Sequence, residues 1–472
     1  MTQWFRLLPV LVFSFPTFAD ELSVESYLKE VRNKNEAVAG AILQSEGSQA
    51  RSKEGELSTT AALFSDAEYR INGQLPLIPI TSYDSINMFK YNLGVKKTFS
   101  FGLDAKLYYS VMHTNYVNQS SSFGAIPAIN FFDTTPTLEL SQQLWGNGFG
   151  RTVRARQDQA EAGMLATSFA NRHLAKSLLA SAEEVYWALS LARERKEIAH
   201  DALEQAKKIY KWNASRVERN LADEVDALQS KAALEASELD YQLACDTERQ
   251  SARAFNKMRN VDSDVVEQDL PELEADKLLS RSVPESKPQR DDVKAAEQQQ
   301  RAAIAGGTVS KEGLRPTLEV YGTAAMNGRN AAFGAALQNP FEANRPTWVA
   351  GVRFNMPLDR SLASQSMAGV LKEQMAAEMS YRQKQKDLVQ DWQDLTHKIK
   401  ELKYRLKLSK GISATQKLKL QRERQRLTSG RTTTFQVLQF EQDFSRAKLG
   451  EIGAKTELVR ALTQLKLYGG SL

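Results

Sequence analysis

The segment that decides the fold is Arg216-Val-Glu-Arg-Asn-Leu-Ala-Asp-Glu-Val-Asp-Ala-Leu-Gln229. A related segment follows 210 residues later: Arg426-Leu-Thr-Ser-Gly-Arg-Thr-Thr-Thr-Phe-Gln-Val-Leu-Gln439. Arg opens both segments and Leu-Gln closes both. Asn220 in the first segment corresponds to Gly430 in the second, and both residue types tolerate the positive φ that a turn between two helices needs. The two segments predict equivalent turns in a chain that contains an internal duplication.

The duplication extends upstream of these turns. Residues 138–144 correspond to 352–358 at an offset of 214. The offset falls to 210 at the turns because residues 145–150 of the first copy correspond to only two residues, 359–360, of the second. Each copy therefore predicts a helix, strands, a long helix, a tight turn and a second long helix. We predict a first repeat over 20–258, a connector over 259–290 and a second repeat over 291–472. The connector is rich in acidic residues and proline, with a short helix expected near 272–281.

Long helices are predicted from apolar or small residues at alternating spacings of three and four, the pattern of a coiled-coil seam. Examples are Ala182, Leu189 and Leu203 in the first copy and Leu395, Ile399 and Leu402 in the second. The helices are expected over 150–217, 222–258, 361–408 and 411–467. At about 1.5 Å per residue, the first would be on the order of 100 Å long, which exceeds the helices of globular domains.

Strands are predicted near 57–145, 314–326 and 346–357, where apolar and polar residues alternate. Trp348, Ala350 and Val352, for example, alternate with Val349 and Gly351. One apolar and one polar face suits either a half-buried sheet or a barrel with lipid outside and water inside. The pattern leaves open whether a hairpin over 91–117 joins such a barrel.

Composition and targeting signals narrow the function. The 62 Lys and Arg residues against 57 Asp and Glu give a net charge of only +5, which does not suggest a nucleic-acid partner. One cysteine, four histidines and the lack of a catalytic motif predict neither an enzyme nor a metal or cofactor site. Residues 1–19 have the charge, apolar run and small-residue cleavage site of a signal peptide, so export is expected. A mean hydropathy of −0.45 excludes a multi-span helical membrane protein.

The chain resembles the TolC family of outer-membrane efflux proteins over nearly its whole mature length. The resemblance rests on the duplicated plan, on Leu314-Arg-Pro-Thr-Leu318 entering a strand, and on Gly430 followed by a threonine run and Val437-Leu438. It implies an α+β membrane protein: a homotrimer with a β-barrel in the outer membrane, continued by an antiparallel α-helical coiled-coil tunnel in the periplasm. It also implies docking of a periplasmic adaptor protein and an inner-membrane pump, and contact with outer-membrane lipid.

The resemblance further implies a gate of carboxylates just past the turn of the second copy. Here the positions six and nine residues past each turn are Asp226 and Gln229 in the first copy and Gln436 and Gln439 in the second. Neutral amides in a narrow pore attract cations less than carboxylates do. The expected docking tips consist of two sets of turn residues: Arg219, Asn220 and Leu221, and Ser429, Gly430 and Arg431.

Other interpretations remain open at this point. A periplasmic coiled-coil adaptor or envelope scaffold would explain export and long helices, but not the strands at equivalent places in each repeat. The glutamines could simply face solvent or a neighbouring helix, because periodicity does not fix the rotation of a helix. We predict a gated, passive channel that exports small molecules or proteins.

Overall fold

The computed structural model describes residues 21–74, 81–118, 120–121, 130–221, 223–283, 288–342 and 345–469. The predicted signal peptide, 1–19, lies outside the described residues. The chain divides into two compact units: a helical unit of residues up to 45, 170–292 and 385–472, and a sheet unit of 46–169 and 293–384.

Nine α-helices are present in the described ranges: α1 (Val24–Lys34), α2 (Glu36–Ala50), α3 (Arg151–Glu218), α4 (Glu224–Met258), α5 (Ala275–Ser280), α6 (Asp291–Gly313), α7 (Phe333–Glu342), α8 (Arg360–Thr428) and α9 (Thr434–Leu465). The strands in the same ranges are β1 (Ala62–Asn72), β2 (Thr81–Ser82), β3 (Ser85–Thr98), β4 (Leu103–Val117), β5 (Ser120–Ser121), β6 (Asn130–Trp145), β7 (Thr317–Met326), β8 (Gly328–Asn330) and β9 (Pro346–Asn355). In each half of the chain, strands precede a helix of nearly seventy residues, a short turn and a second helix.

The main sheet has the order β1-β3-β4-β6-β7-β9, and β8 pairs with the outer part of β6. Every neighbouring pair is antiparallel. The hairpin near 91–117 is β3 and β4, and these are the second and third strands of this sheet. Each of the two strands therefore has a partner on both sides, while β1 and β9 are the edges.

Helix α7 packs on the part of the sheet formed by β6 and β8. The hydroxyl of Tyr109 donates a hydrogen bond of 2.7 Å to the carbonyl of Leu337, and the hydroxyl of Thr134 donates to the carbonyl of Ala336. A Cβ atom on Gly328 would lie 2.5 Å from Cδ of Pro340, so this close approach requires glycine.

The helical unit has a continuous hydrophobic core. Tyr27, Tyr186 and Phe255 are fully buried, and the rings of Tyr27 and Phe255 stack with centroids 4.3 Å apart. The connector takes part in this core through Val266, Leu273 and Leu278. Its path is fixed by side chains of the long helices, since Arg193 of α3 donates a 2.7 Å hydrogen bond to the carbonyl of residue 268.

The predicted boundary between helices 361–408 and 411–467 is wrong. A single helix, α8, runs from Arg360 to Thr428, and α9 begins only at Thr434. Gly411 lies inside this helix, where a glycine costs only about 1 kcal/mol relative to alanine. Buried Leu406, Ser413 and Leu420 continue one seam across that point at steps of seven, so packing outweighs the local cost. No helix among the described residues is both long and apolar enough to cross a membrane.

A half-buried ion pair joins α8 to α9. Nε of Arg424 donates to the Glu441 carboxylate at 2.7 Å, and the Glu441 side chain is 15% exposed. Burial raises the pKa of Glu441, and the charge of Arg424 opposes this without cancelling it. The carboxylate lines a cleft together with charged residues of α3, the connector, α8 and α9: Glu194, Glu197, Asp201, Glu272, Lys417 and Lys448.

We predict that Glu441→Gln makes the stability of the protein less dependent on pH. Because the folded-state pKa of Glu441 lies above its unfolded value, its stabilising contribution is full below about pH 4.5 and is lost as pH rises through the folded-state pKa. The thermal midpoint of the helical circular dichroism signal should therefore fall less with rising pH in the variant. Glu457→Gln, which removes an exposed carboxylate of the same helix, is the control. Parallel profiles for wild type and Glu441→Gln would contradict the prediction.

Candidate functional site

The two predicted turns have the same hydrogen-bonding pattern. Asn220 and Gly430 adopt the left-handed conformation, with φ of 57° and 68°. In the first turn the amide of Leu221 bonds to the carbonyl of Arg216 at 2.8 Å; in the second the amide of Arg431 bonds to the carbonyl of Arg426 at 2.9 Å. Both helices therefore end in a Schellman motif with a left-handed residue as its pivot.

Side chains at equivalent positions brace each turn. Arg216 donates to the carbonyl of Leu221, and Arg426 donates to the carbonyl of Arg431. One turn of helix earlier, Asn213 is 1% exposed and donates to the carbonyl of Asp226. At the matching position Glu423 is 5% exposed and accepts from Arg426 and from the hydroxyl of Thr432. Residues that are 210 positions apart in the sequence thus have equivalent structural roles in the two turns.

The four predicted gate residues lie in the first turns of the helices that leave the tips. Asp226 and Gln229 are half-buried on α4, whereas Gln436 and Gln439 are exposed on α9. Gln436 is also the third helical residue after the N-cap Thr433, whose hydroxyl accepts from the Gln436 amide. Thr433 and Gln436 have the spacing of a capping box, a sequence signal that offers a structural role for this glutamine.

The six predicted docking residues form the two tips of the helical unit, three residues in each. The first tip exposes apolar side chains, with Leu221 62% and Val225 65% exposed. In the second tip Phe435 is 54% exposed at the position equivalent to Val225, and Arg431 replaces Leu221. The first tip is thus more apolar than the second.

The stretch 398–426, which precedes the second tip, has eleven Lys and Arg residues against Glu401 and Glu423, and part of it is paired within the chain. Arg405 bonds to Glu457, Lys410 to Asp276 and Arg424 to Glu441, at distances of 2.6–2.8 Å. Lys403 donates to the carbonyl of Leu279, and Lys419 stands 3.7 Å from the centroid of the Phe440 ring. The salt bridges of Arg405, Lys410 and Arg424, with that of Arg426 to Glu423, offset part of the positive charge of this stretch.

One face of the sheet is apolar and exposed. Across β1, β3, β4, β6, β7 and β9, the registers place most of the apolar residues on one face, and Lys97 is the only Lys, Arg, Asp or Glu on that face of these six strands. Its members include Leu63, Tyr69, Phe89, Leu93, Val95, Leu107, Leu138, Leu140, Trp348, Val352 and Phe354, which are 39–77% exposed. An exposed apolar surface of this extent is typical of a face that contacts another protein or a membrane.

The opposite face carries charges of both signs in contact with one another. Lys106 lies 3.7 Å from Glu139, Arg353 lies 3.1 Å from Glu319, and Asn92 donates to Asp66 at 2.7 Å. The bases on this face are Arg70, Lys90, Lys96, Lys106, Arg329 and Arg353, and the acids are Asp66, Glu68, Asp104, Asp133, Glu139 and Glu319. The numbers are equal, so the face as a whole has no formal charge.

Within the described part of the chain, no group of three or more His, Cys, Asp and Glu side chains is arranged to hold a metal ion. Cys245 is half-buried on α4.

Comparisons with known proteins identify the fold. Residues 283–471 match the family model described as outer membrane efflux protein. The structure is similar to the solved channel CusC, with a TM-score of 0.66 and 15% identity, over 96% of this chain and 94% of that chain. It is also similar to the outer-membrane channel OprN, with a TM-score of 0.65 and 18% identity over 95% and 90% of the two chains. A third similar structure is the outer membrane protein VceC from Vibrio cholerae. It has a TM-score of 0.64 and 14% identity, over 95% of this chain and 96% of that chain. No curated protein matches the sequence.

The fold and the tip geometry define an efflux-channel architecture. The predicted resemblance to the TolC family of outer membrane efflux proteins is confirmed, by the family match in the carboxy-terminal part and by the fold of nearly the whole chain. A general role as an efflux channel of the outer membrane follows, and the prediction that the chain is not an enzyme is confirmed by the same match.

We predict that Gly430→Ala destabilises the second tip by about 1 kcal/mol, because a Cβ atom in the left-handed conformation clashes with its own backbone. No neighbouring atom lies within 4 Å of the position that this Cβ would take, so the backbone conformation alone sets the cost. Gly430→Asn, which places in the second tip the residue found in the first, should recover much of the loss. Thermal unfolding of the three proteins, followed by circular dichroism, measures the difference. Equal midpoints for the alanine variant and wild type would contradict the prediction.

Proposed function

We propose that three copies of this chain form a passive conduit in the outer membrane, with the sheets forming a membrane-spanning barrel and the helices a periplasmic tunnel. The observation that carries this proposal is the sheet with two exposed faces, one almost without charge and the other polar. A lipid-facing barrel wall needs this alternation, because charged residues near the bilayer centre cost about 2–4 kcal/mol each. The single exception, Lys97, lies one residue from the end of β3.

The membrane-facing band has aromatic residues towards both ends. Trp145 and Phe354 lie 6.5 Å apart at the end of the sheet where β6 and β9 stop. Phe132 and Phe333 lie 5.4 Å apart near the opposite end. Aromatic girdles at both interfaces are characteristic of outer-membrane barrels, so these rings support lipid as the partner of the apolar face.

The tips are the proposed docking surface for a periplasmic adaptor protein, through which an inner-membrane pump would deliver its cargo. Exposed Leu221 and Val225 at one tip and Phe435 at the other offer apolar anchors on rigid, braced turns. Rigid anchors lose little conformational entropy on binding, which favours a docking role.

At the same end, Gln436 and Gln439 are proposed to form rings of amides in the trimer, with Asp226 and Gln229 beside them. The exposure of both α9 glutamines in the single chain supports their access to a lumen. A resting gate of this kind would hold cations only through dipoles, and would select ions weakly.

A periplasmic coiled-coil scaffold without a pore is the alternative. It accounts for the helices, but it would leave the apolar face of the sheet in water. Exposed apolar area of this extent is a strong aggregation liability for a protein dissolved in the periplasm.

The mass of the protein extracted from purified outer membranes tests the proposed conduit. We expect a heat-labile species with the mass of three chains, measured by light scattering corrected for bound detergent. A monomer recovered from the soluble periplasmic fraction would rule out the membrane conduit and support the scaffold.

We predict that Gln436→Asp increases cation selectivity and block by divalent cations, because three carboxylates would converge in a narrow, poorly hydrated pore. Reversal potentials in a salt gradient across a planar bilayer measure the effect. Gln393→Asp makes the same substitution at an exposed position of α8 far along the chain from the tip, and should leave the reversal potential unchanged. An unchanged reversal potential in Gln436→Asp as well would remove this residue from the gate.

A further inference from the structure

The two edge strands of the sheet have nearly equal lengths and opposite directions. β1 has 11 residues and β9 has 10, and the antiparallel order of six strands makes the two edges antiparallel to each other. Each edge presents unpaired backbone donors and acceptors over its full length. Such edges pair with another chain unless they are blocked by a proline, a bulge or inward-pointing charge. Only Pro346, at the first position of β9, interrupts the donors here.

We propose that β1 of one copy pairs with β9 of the next over their full lengths, Ala62 opposite Asn355 and Ile71 opposite Pro346, and that the β3–β4 hairpin is part of the wall, which gives three copies an 18-stranded barrel. This inference rests on the proposed conduit and adds to it the strand count, the joining register and the width of the exit. The occupant of each edge is a second copy of this chain.

The alternation of the two faces restricts the register. Apolar positions have odd numbers in β1 and even numbers in β9. In the proposed register Tyr69 stands opposite Trp348, Leu63 opposite Phe354 and Ala67 opposite Ala350. The large side chains in these pairs are among the most exposed of the sheet, at 61%, 77%, 75% and 56% for Tyr69, Trp348, Leu63 and Phe354. A slip of one residue in either direction would place Trp348 and Ala350 beside charged side chains of β1, namely Asp66, Glu68 or Arg70.

The stagger of the sheet agrees with closure in this register. Within one chain, the ladder leads from Ala62 straight across through Lys96, Lys106, Glu139 and Thr323 to Val349. Pairing Ala62 with Asn355 of the next copy therefore shifts the ladder by six residues per copy, which is 18 residues around three copies. With a rise of about 3.3 Å per residue and about 4.8 Å between strands, this shift tilts the strands by about 35°. Barrels have tilts of about 35–45°, so full-length pairing and closure are compatible.

A wall of 18 strands at this tilt has a backbone diameter of about 33 Å, in the range in which barrels enclose a water-filled channel. The lining would be the polar face, with equal numbers of acids and bases. We therefore infer that the exit admits hydrated solutes of either charge and that selection occurs elsewhere in the conduit.

Disulfide cross-linking tests the joining register. In a Cys245→Ser background, Ala67→Cys with Ala350→Cys should form covalent dimers and trimers in outer membranes under mild oxidation, because directly opposed residues have Cβ atoms about 5 Å apart. Ala67→Cys with Val352→Cys, a pair displaced by one diagonal step on the same face, should cross-link much less, and each single variant should not cross-link through these positions. Preferential cross-linking of the displaced pair, or a trimer without any cross-link, would overturn the register while leaving the conduit intact. Absence of a trimer would instead contradict the conduit itself.

Cysteine labelling tests whether the hairpin belongs to the wall. Lys106 and Leu107 are adjacent on β4 and both exposed, but they lie on opposite faces. In the trimer in membranes, Lys106→Cys should react with a membrane-impermeant maleimide and Leu107→Cys only with a lipid-soluble one. Equal reaction of both with the impermeant reagent would place the hairpin outside the wall and overturn the count of 18 strands.

Discussion

The sheet depends on one constraint: the nearly uncharged face and the charged face must stay in register across five successive antiparallel interfaces. Because side chains alternate along each strand, a slip of one residue at any interface would exchange the two faces. All five registers keep the charged side chains on one face, with Lys97 as the exception, and they place Leu63 beside Val95 at one edge and Val320 beside Val352 at the other. The sheet therefore keeps a nearly uncharged face apart from a charged one, and α7 packs on part of the uncharged face.

The helical unit meets a different requirement, which is to reverse a long helix within a few residues without leaving polar groups unsatisfied. Both tips do so with a left-handed residue, an arginine that caps a carbonyl beyond the turn, and a polar side chain as N-cap of the next helix. These three features are the same in both copies of the repeat, whereas exposed residues such as Leu221 and its equivalent Arg431 differ. The residues that brace each turn and the residues that differ at its surface are thus different positions of the same short segment.

Much of this was predictable from the residues. The repeat gave the tips because Asn220 and Gly430 are turn residues at matching offsets, and alternation indicated strands with two distinct faces. The continuity of α8 was missed because the seam that carries the helix across Gly411 depends on contacts with other helices. The ion pairs of Arg405 and Lys410 could not be predicted for the same reason: their partners, Glu457 and Asp276, lie far from them in the chain. Membership of the β3–β4 hairpin in the sheet depends on long-range strand order, which local alternation does not encode.

The hairpin has a consequence for how such proteins change in size. Removing or adding two antiparallel strands leaves the direction of every remaining strand unchanged, and the register here would also bring Leu63 level with Leu138, apolar beside apolar, if β1 met β6 directly. A gene could therefore gain or lose this segment in one step without reversing the inside and outside of the wall. Three identical copies would turn each such step into six strands, so that pore diameter in this architecture evolves in large, discrete increments.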